Sequence, residues 1–442
     1  MQPLHINQAY KDDMQMAKRV VITGMDTINP LGDTLEGYYN NLIAGKSGIK
    51  KWESLKVDAL SCRIGGDIGG YDMQGALEGL KGWLDEARFK KIRRLFRNMT
   101  FPNRSAVLTS LKAWKQSGLK IEALDPFRVS VMVAGHNFNS RYIMEQTVQF
   151  LEEPAWIDPL YGVEALDPNI PGSICEVLGI KGPAFTLGAA CASGNLAIRD
   201  GYRDILSGEC DVSVASGAIW DMNESDINAM AYLDALVVAP EYQDAPEQGS
   251  RPFDSKRCGF VPSHGAAAVI LEDLEHARAR GADIIAEVLS VAANSNANHL
   301  PAPSQESQTW LMRTVLERSG LQPEDVDYVN CHATGTPLGD IKELSAIKET
   351  LGEHAKNIKL NAPKSMLGHT CWAAPLVELV GGILQMQHGR LHPTINVDEP
   401  APEMDLDICK DGAVEYPARV MLKNSFGFGG LNCCSLIRLH EE

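Results

Sequence analysis

Short strand-like apolar runs alternate with longer stretches of helical apolar spacing along most of this chain, and that alternation restricts it to an α/β architecture. Arg19-Val20-Val21-Ile22-Thr23 opens a first series, and Ile285-Ala286-Glu287-Val288-Leu289-Ser290-Val291 opens a comparable one in the second half. Pro, Gly and Ser are spread without a low-complexity linker, so the two series are expected to form one compact body. Similarity between the halves is faint, and periodicity alone leaves duplication open.

The side chains of the 442 residues include 57 acidic and 41 basic ones, a formal charge of −16. A nucleic-acid or anionic-membrane binder presents a basic surface, so neither is expected. No window approaches the ~20 apolar residues of a membrane span, and the opening MQPLHINQAYKDDMQMAK lacks the apolar core of a secretion signal. A soluble, cytoplasmic protein is expected. Ten cysteines occur without any C-x-x-C pair or zinc spacing, which favours reduced thiols buried as small hydrophobes and no metal site.

One basic cluster interrupts the acidic chain: Arg88, Lys90, Lys91, Arg93, Arg94 and Arg97. Phe89, Ile92, Leu95 and Phe96 between them follow helical spacing, predicting an amphipathic helix that turns the cations outward. Such a face is either simply solvated or a dock for an acidic partner.

The segment Gly182–Gly194 reads as a short strand, a run of small residues and the start of a helix whose Ile198, Tyr202, Ile205 and Leu206 form one stripe. Cys191 then stands at a strand-to-helix turn, where the helix dipole and free backbone N–H groups favour the thiolate. A nucleophile and an inert buried thiol are both compatible with this segment alone. His332 follows a strand in a Gly/Thr/Pro turn, and His369 follows Lys364 just before an apolar helix. With a helix-tip thiol, two loop histidines make a Cys–His–His site, although a lone histidine is more often structural.

The block GPAFTLGAACASGNLAI resembles the nucleophile segment of β-ketoacyl synthases, of the ketoacyl synthase II type and discrete polyketide ketosynthases. RVVITGMDTINPLGDTLEGYYNNLIAGKSGI, RPFDSKRCGFVPSHGAAAVIL, VNCHATGTPLGDIKE, KSMLGH and NSFGFGGLN resemble further family motifs, in the family's order, from residue 19 onward. The resemblance implies the thiolase fold, duplicated halves in a five-layer αβαβα sandwich. It divides the chain into an extension (1–18), a half bearing the nucleophile (19–276) and a half bearing the histidines (277–442).

It also implies a decarboxylative Claisen condensation in fatty-acid or polyketide biosynthesis. Cys191 would accept an acyl group from an acyl carrier protein, and malonyl carrier protein would lose carbon dioxide and attack the thioester. His332 and His369 would hold the malonyl thioester carbonyl, and Lys364 would orient this group or form an ordinary buried ion pair. The backbone N–H groups of Cys191 and Phe428 would form the oxyanion hole, with Phe428 gating the acyl pocket. Thr334, Thr336, Phe428 and Gly429 would bind substrate, and the cluster at 88–97 would dock the carrier protein. No cofactor is implied beyond the carrier's phosphopantetheine. The implied partners are the carrier protein and an identical or homologous subunit.

The chain departs from the family in three places. Ser263-His264-Gly265-Ala266 lacks the usual acidic residue, which removes an expected partner for the cationic part of the site and leaves the charge state of Lys364 open, with His264 read as a neutral substitute or as a sign of altered chemistry. Ala333 stands for a usual glycine, and His136 lies in a stretch commonly rich in glycine. These changes suggest a specialised pathway enzyme. Rival readings are a malonyl carrier-protein decarboxylase, which Cys191 argues against and His264 keeps open, a non-catalytic partner subunit resembling a chain-length factor, which Cys191 with both histidines argues against, and a thiolase.

Overall fold

The computed structural model describes residues 18–441, so the 1–18 extension, Lys18 apart, lies outside the described residues. The first-half strands are β1 (Val20–Ile28), β2 (Val129–Ala134), β3 (Ala184–Leu187), β4 (Val212–Gly217) and β5 (Ala266–Asp273). Those of the second half are β6 (Ala286–Ser295), β7 (Tyr328–Asn330), β8 (Lys359–Asn361), β9 (Val420–Gly427) and β10 (Leu431–Leu439). Their order is β8-β7-β9-β10-β6-β1-β5-β4-β2-β3.

Both halves repeat one topology. In each, the second, third and fourth strands run parallel, and the fifth lies antiparallel between the fourth and the first. The halves join where Val20–Ile22 pairs antiparallel with Ala286–Val288. This repeat resolves the duplication that periodicity left open, because strand order survives sequence drift that erases local similarity.

The helices that matter here are α1 (Glu86–Phe96), α2 (Phe101–Ser117), α3 (Ser140–Glu152), α4 (Asn169–Leu178), α5 (Ser193–Leu206), α6 (Gln305–Ser319), α7 (Gly339–Leu351) and α8 (Ala374–Gln387). Helices α5 and α8 touch each other and strands of both halves, and so form the central layer. Helices α2 and α4 cover the outer face of the first sheet, and α6 with α7 pack outside the second. The result is αβαβα. Parallel strands buried on both faces read as continuous apolar runs, and VSVMVA of β2 is buried at every position.

The central position also corrects the single stripe expected on α5. Ile198 and Ile205 are buried, but so are Ser193, Gly194, Asn195, Ala197 and Gly201, because sheets press on the helix from two sides. Gly194 and Gly201 are needed for that approach, since a Cβ would come within 2.8 Å of Pro375 and 2.4 Å of Ser213. Among the described residues no helix is long and apolar enough to cross a membrane.

Candidate active site

The two helices of the central layer bring the site together from distant sequence. Cys191 occupies a single 3-10 turn, Ala190–Ala192, that feeds α5, as the strand–turn–helix pattern predicts. Ser193 Oγ closes this turn by accepting from the Ala189 N–H at 2.8 Å and donating to the Ala190 carbonyl at 2.7 Å. His332 follows β7, and His369 lies between β8 and α8; their rings meet edge to face with centroids 5.6 Å apart.

Three of the nine left-handed non-glycine residues among the described residues lie beside these groups. Ala190 (φ +45°) precedes the cysteine, Ala333 (φ +22°) follows the first histidine, and Cys371 (φ +50°) lies two residues after the second. Left-handed backbone is costly for a residue with a Cβ and persists where the surroundings hold a functional side chain in place. The departure at Ala333 thus exchanges an unstrained glycine for a strained alanine.

The glycine-rich loop after β9 comes close to the nucleophile. A Cβ on Gly427 would fall 2.6 Å from the Ala189 carbonyl and 3.2 Å from the Cys191 nitrogen, so only glycine lets the loop approach. The backbone N–H groups of Phe428 and of Cys191 itself both engage the sulfur. Gly429 adopts φ +77° and turns the loop, but it lines neither pocket described below.

Cys191 stands where two pockets meet. The outer one, of about 250 Å³, is lined by His332, Thr334, Thr336, His369 and Phe428 among others. Thr334 and Thr336 are linked there by their hydroxyls at 3.1 Å. The inner one, of about 370 Å³, is almost wholly apolar and is walled by Trp220, Trp372 and His136. Trp372 stacks on Trp220 at 4.8 Å and against His136 at 4.3 Å, which gives His136 a place in the wall. Phe428 and Phe260 line both pockets and pack edge to face, so they stand as the partition between them.

Burial dominates the electrostatics. The Cys191 thiol is pushed up to about 11 by burial, against the pull of Lys364 and the two backbone N–H groups. This corrects the expected thiolate: the helix terminus favours the anion, but desolvation outweighs it. Well below that value the thiolate fraction rises about tenfold per pH unit. The initial rate of iodoacetamide labelling at Cys191, followed by peptide mass spectrometry, is therefore expected to climb about tenfold per pH unit from about pH 7 to 10. A plateau by pH 8 would contradict a buried, protonated thiol.

Both histidines are held well below their ordinary value, chiefly by burial and also by Lys364 and Lys423. Both are therefore neutral near pH 7. Lys364 Nζ lies 3.5 Å from His332 Nδ1, and an ammonium only donates, so Nδ1 accepts and Nε2 carries the proton. Neither ring nitrogen of buried His369 has a partner among the described residues, which leaves an N–H free for a ligand.

The expected substitution of His264 for a missing acid is not what the fold shows. Lys364 pairs with Glu378 of α8 at 2.5 Å, while His264 lies beside Asp67 at 3.5 Å and edge-on to Trp52. The carboxylate partner comes from a different element, so the altered 263–266 block does not leave the lysine alone. Lys423 binds the other oxygen of Glu378 at 2.6 Å. Glu343 of α7 accepts from the His332 and Ala333 N–H groups at 2.8 and 2.7 Å. Sequence reading missed these three. The available signal was a lone charge in an apolar run: Glu378 within LVELVGG and Lys423 within VMLKNSFG.

The basic cluster forms α1 as predicted, capped by Asp85 and buried along Phe89, Ile92 and Phe96. None of its cations lines either pocket. Arg88, Lys90, Lys91 and Arg93 pair with Glu122, Glu86, Glu176 and Glu78, and all of the cluster except half-buried Arg88 is exposed, Arg94 and Arg97 included. Among the described residues no group of three or more His, Cys, Asp or Glu is arranged to hold a metal ion.

Comparison with known proteins agrees with this geometry. The β-ketoacyl synthase N-terminal domain matches residues 17–277, and the C-terminal domain of that family matches 285–398. The chain is 34% identical over 422 residues to 3-oxoacyl-[acyl-carrier-protein] synthase 2 of Synechocystis sp., covering 94% of this chain and 96% of that protein. It is 31% identical over 423 residues to the polyketide biosynthesis malonyl-ACP decarboxylase PksF of Bacillus subtilis, covering 96% and 97%. Among solved structures it resembles the ishigamide ketosynthase/chain length factor, with a TM-score of 0.84, 27% identity, and 96% and 100% coverage. A type II polyketide synthase ketosynthase, in complex with its acyl carrier protein and bound to a hexaketide, gives a TM-score of 0.84, 26% identity and the same coverage.

Proposed function

The chain belongs to the β-ketoacyl synthase family, and from that premise we propose that it catalyses decarboxylative Claisen condensation of an acyl thioester with malonyl-acyl carrier protein. One observation carries the reading: a helix-tip thiol, two backbone N–H groups and two neutral imidazoles converge where an almost wholly apolar pocket meets a more polar one.

In the first step Cys191 sulfur attacks the acyl thioester, the carrier's thiol leaves, and the acyl chain enters the inner pocket. The Cys191 and Phe428 N–H groups hold the tetrahedral oxyanion. In the second step the malonyl thioester enters from the outer side, along Thr334 and Thr336. His332 Nε2–H and the N–H of His369 donate to its carbonyl oxygen. As the carboxylate leaves as carbon dioxide, the electron pair of that bond forms an enolate, whose charge the two donors stabilise. The enolate carbon then attacks the acyl carbonyl and Cys191 departs. Neutral imidazoles suit this step, because each keeps one N–H without presenting a proton that would quench the enolate.

The partners follow from the same reading. Arg94 and Arg97 of α1 offer exposed cations to an acidic carrier protein. At the sheet edge β3 exposes Phe185, and α3 with the segment after it exposes Val148, Phe150, Leu151 and Trp156. An open strand edge and exposed large apolar side chains are each suited to an identical or homologous subunit. Ten free cysteines favour the reducing cytoplasm.

The test is intact-protein mass spectrometry after adding an acyl carrier-protein thioester and then malonyl carrier protein. Condensation predicts an acyl adduct on Cys191 that disappears as β-ketoacyl carrier protein forms. Conversion of malonyl to acetyl carrier protein without an adduct would instead select the decarboxylase reading, which the similarity to PksF favours. Inertness toward both would leave a subunit that acts only with its partner.

A further inference from the structure

Behind His332 lies a buried ion network of two lysines and two glutamates, and one of the lysines has no part in the chemistry set out above. Lys423 is fully buried, and its Nζ donates to Glu378 Oε2 at 2.6 Å and to the Asn424 carbonyl at 2.7 Å. Glu378 Oε1 is 2.5 Å from Lys364 Nζ, which in turn donates to the His332 carbonyl at 2.6 Å and faces Nδ1 of the same residue. On the opposite side, Asn424 Nδ2 donates to Glu343 Oε1 at 2.9 Å, and Glu343 grips the His332 backbone. Lys423 thus reaches His332 by two routes, one ending at the ring and one at the main chain.

Burying an ammonium is costly unless it is well paired, and Lys423 lies on a β9 whose preceding residues, Val420, Met421 and Leu422, are all apolar and buried. A purely structural strand would place an apolar side chain there. Glu378 is shared between two lysines, one on each oxygen, and this two-sided grip fixes the plane of its carboxylate and hence the position of Lys364. Without Lys423, Glu378 Oε2 loses the side-chain donor it has among the described residues. The carboxylate is then free to turn, and Lys364 with it.

We propose that Lys423 is a positioning residue for the reaction: through Glu378 and Lys364 it holds His332 in the tautomer that donates from Nε2 to the malonyl thioester carbonyl. The inference rests on the condensation reading, and it locates the effect in the decarboxylation step, not in acylation of Cys191.

Lys423→Met keeps the length of the side chain and removes its charge. Its kcat for malonyl carrier-protein decarboxylation is expected to fall about tenfold to a hundredfold, less than the loss of an oxyanion donor itself. KM for malonyl carrier protein and the rate of Cys191 acylation should stay within about threefold, because neither depends on the His332 tautomer. In Lys423→Ala, added propylammonium is expected to restore kcat and propanol is not, since the vacated site calls for a cation. Histidine-labelled wild type supplies a readout that needs no variant to fold: ¹⁵N NMR should show His332 protonated on Nε2 with Nδ1 as an acceptor. An Nδ1-protonated His332, or a folded Lys423→Met with unchanged kcat beside an active wild type, overturns the role of Lys423. A wild type inert toward malonyl carrier protein overturns the reaction reading instead.

Discussion

Cys191→Ala is expected to abolish the covalent acyl adduct and to reduce β-ketoacyl product formation by about 10⁴-fold or more, the scale on which removal of a covalent nucleophile acts. The sulfur is the group on which the acyl chain can be held between the two carrier-protein visits, and no neighbouring side chain replaces it: Cys371 is also buried, with its thiol raised well above the ordinary value. The same variant should continue to decarboxylate malonyl carrier protein, because His332 and His369 do not depend on the thiol for their donors. The check pairs mass spectrometry of the protein with chromatography of the carrier products. Retention of an adduct in Cys191→Ala would move the nucleophile elsewhere, and loss of decarboxylation together with condensation would tie the histidines to the cysteine more closely than their geometry does.

His332→Ala and His369→Ala act on the other half-reaction. Each removes one of two donors aimed at a single developing oxyanion, and loss of one such donor typically costs about 10²–10³ in kcat. Decarboxylation of malonyl carrier protein is expected to fall by that factor in each variant, with the double variant well short of the product of the two, because the donors serve one charge. Acylation of Cys191 should persist in both, since the Cys191 and Phe428 N–H groups remain. The held-down basicity of both rings adds a sign: they are neutral throughout the physiological range, so wild-type decarboxylation should show no histidine limb between about pH 6.5 and 8. A strong decline on going down from pH 8 to 6.5 would mean that one ring protonates in that range, contrary to its burial beside Lys364 and Lys423.

Much of this was legible along the chain because it is local. Strand–turn–helix at Cys191 follows from apolar run, small residues and stripe, and the α1 amphipathic face follows from four spaced apolar residues. Membership of a family was readable in ordered motifs, and with it the thiolase fold. The repeat of topology in the two halves was readable only through that resemblance and not from periodicity, because it resides in which strands pair, and pairing is decided by contacts between segments far apart in sequence.

What the sequence by itself determined is therefore the set of chemical groups and their local frames: a thiol at a helix start, two histidines after strands, a glycine loop able to approach a neighbour. Only the tertiary structure decided their states. The helix start alone argued for a thiolate at Cys191, yet closure of the two sheets around it desolvates the sulfur and keeps the proton on. The missing acid at 263–266 left the surroundings of Lys364 open, yet α8 delivers Glu378 and β9 delivers Lys423 to the same point. The physical reason is common to both: the energy of a buried charge is set by the dielectric around it and by partners within a few ångströms, and neither exists until distant segments pack together.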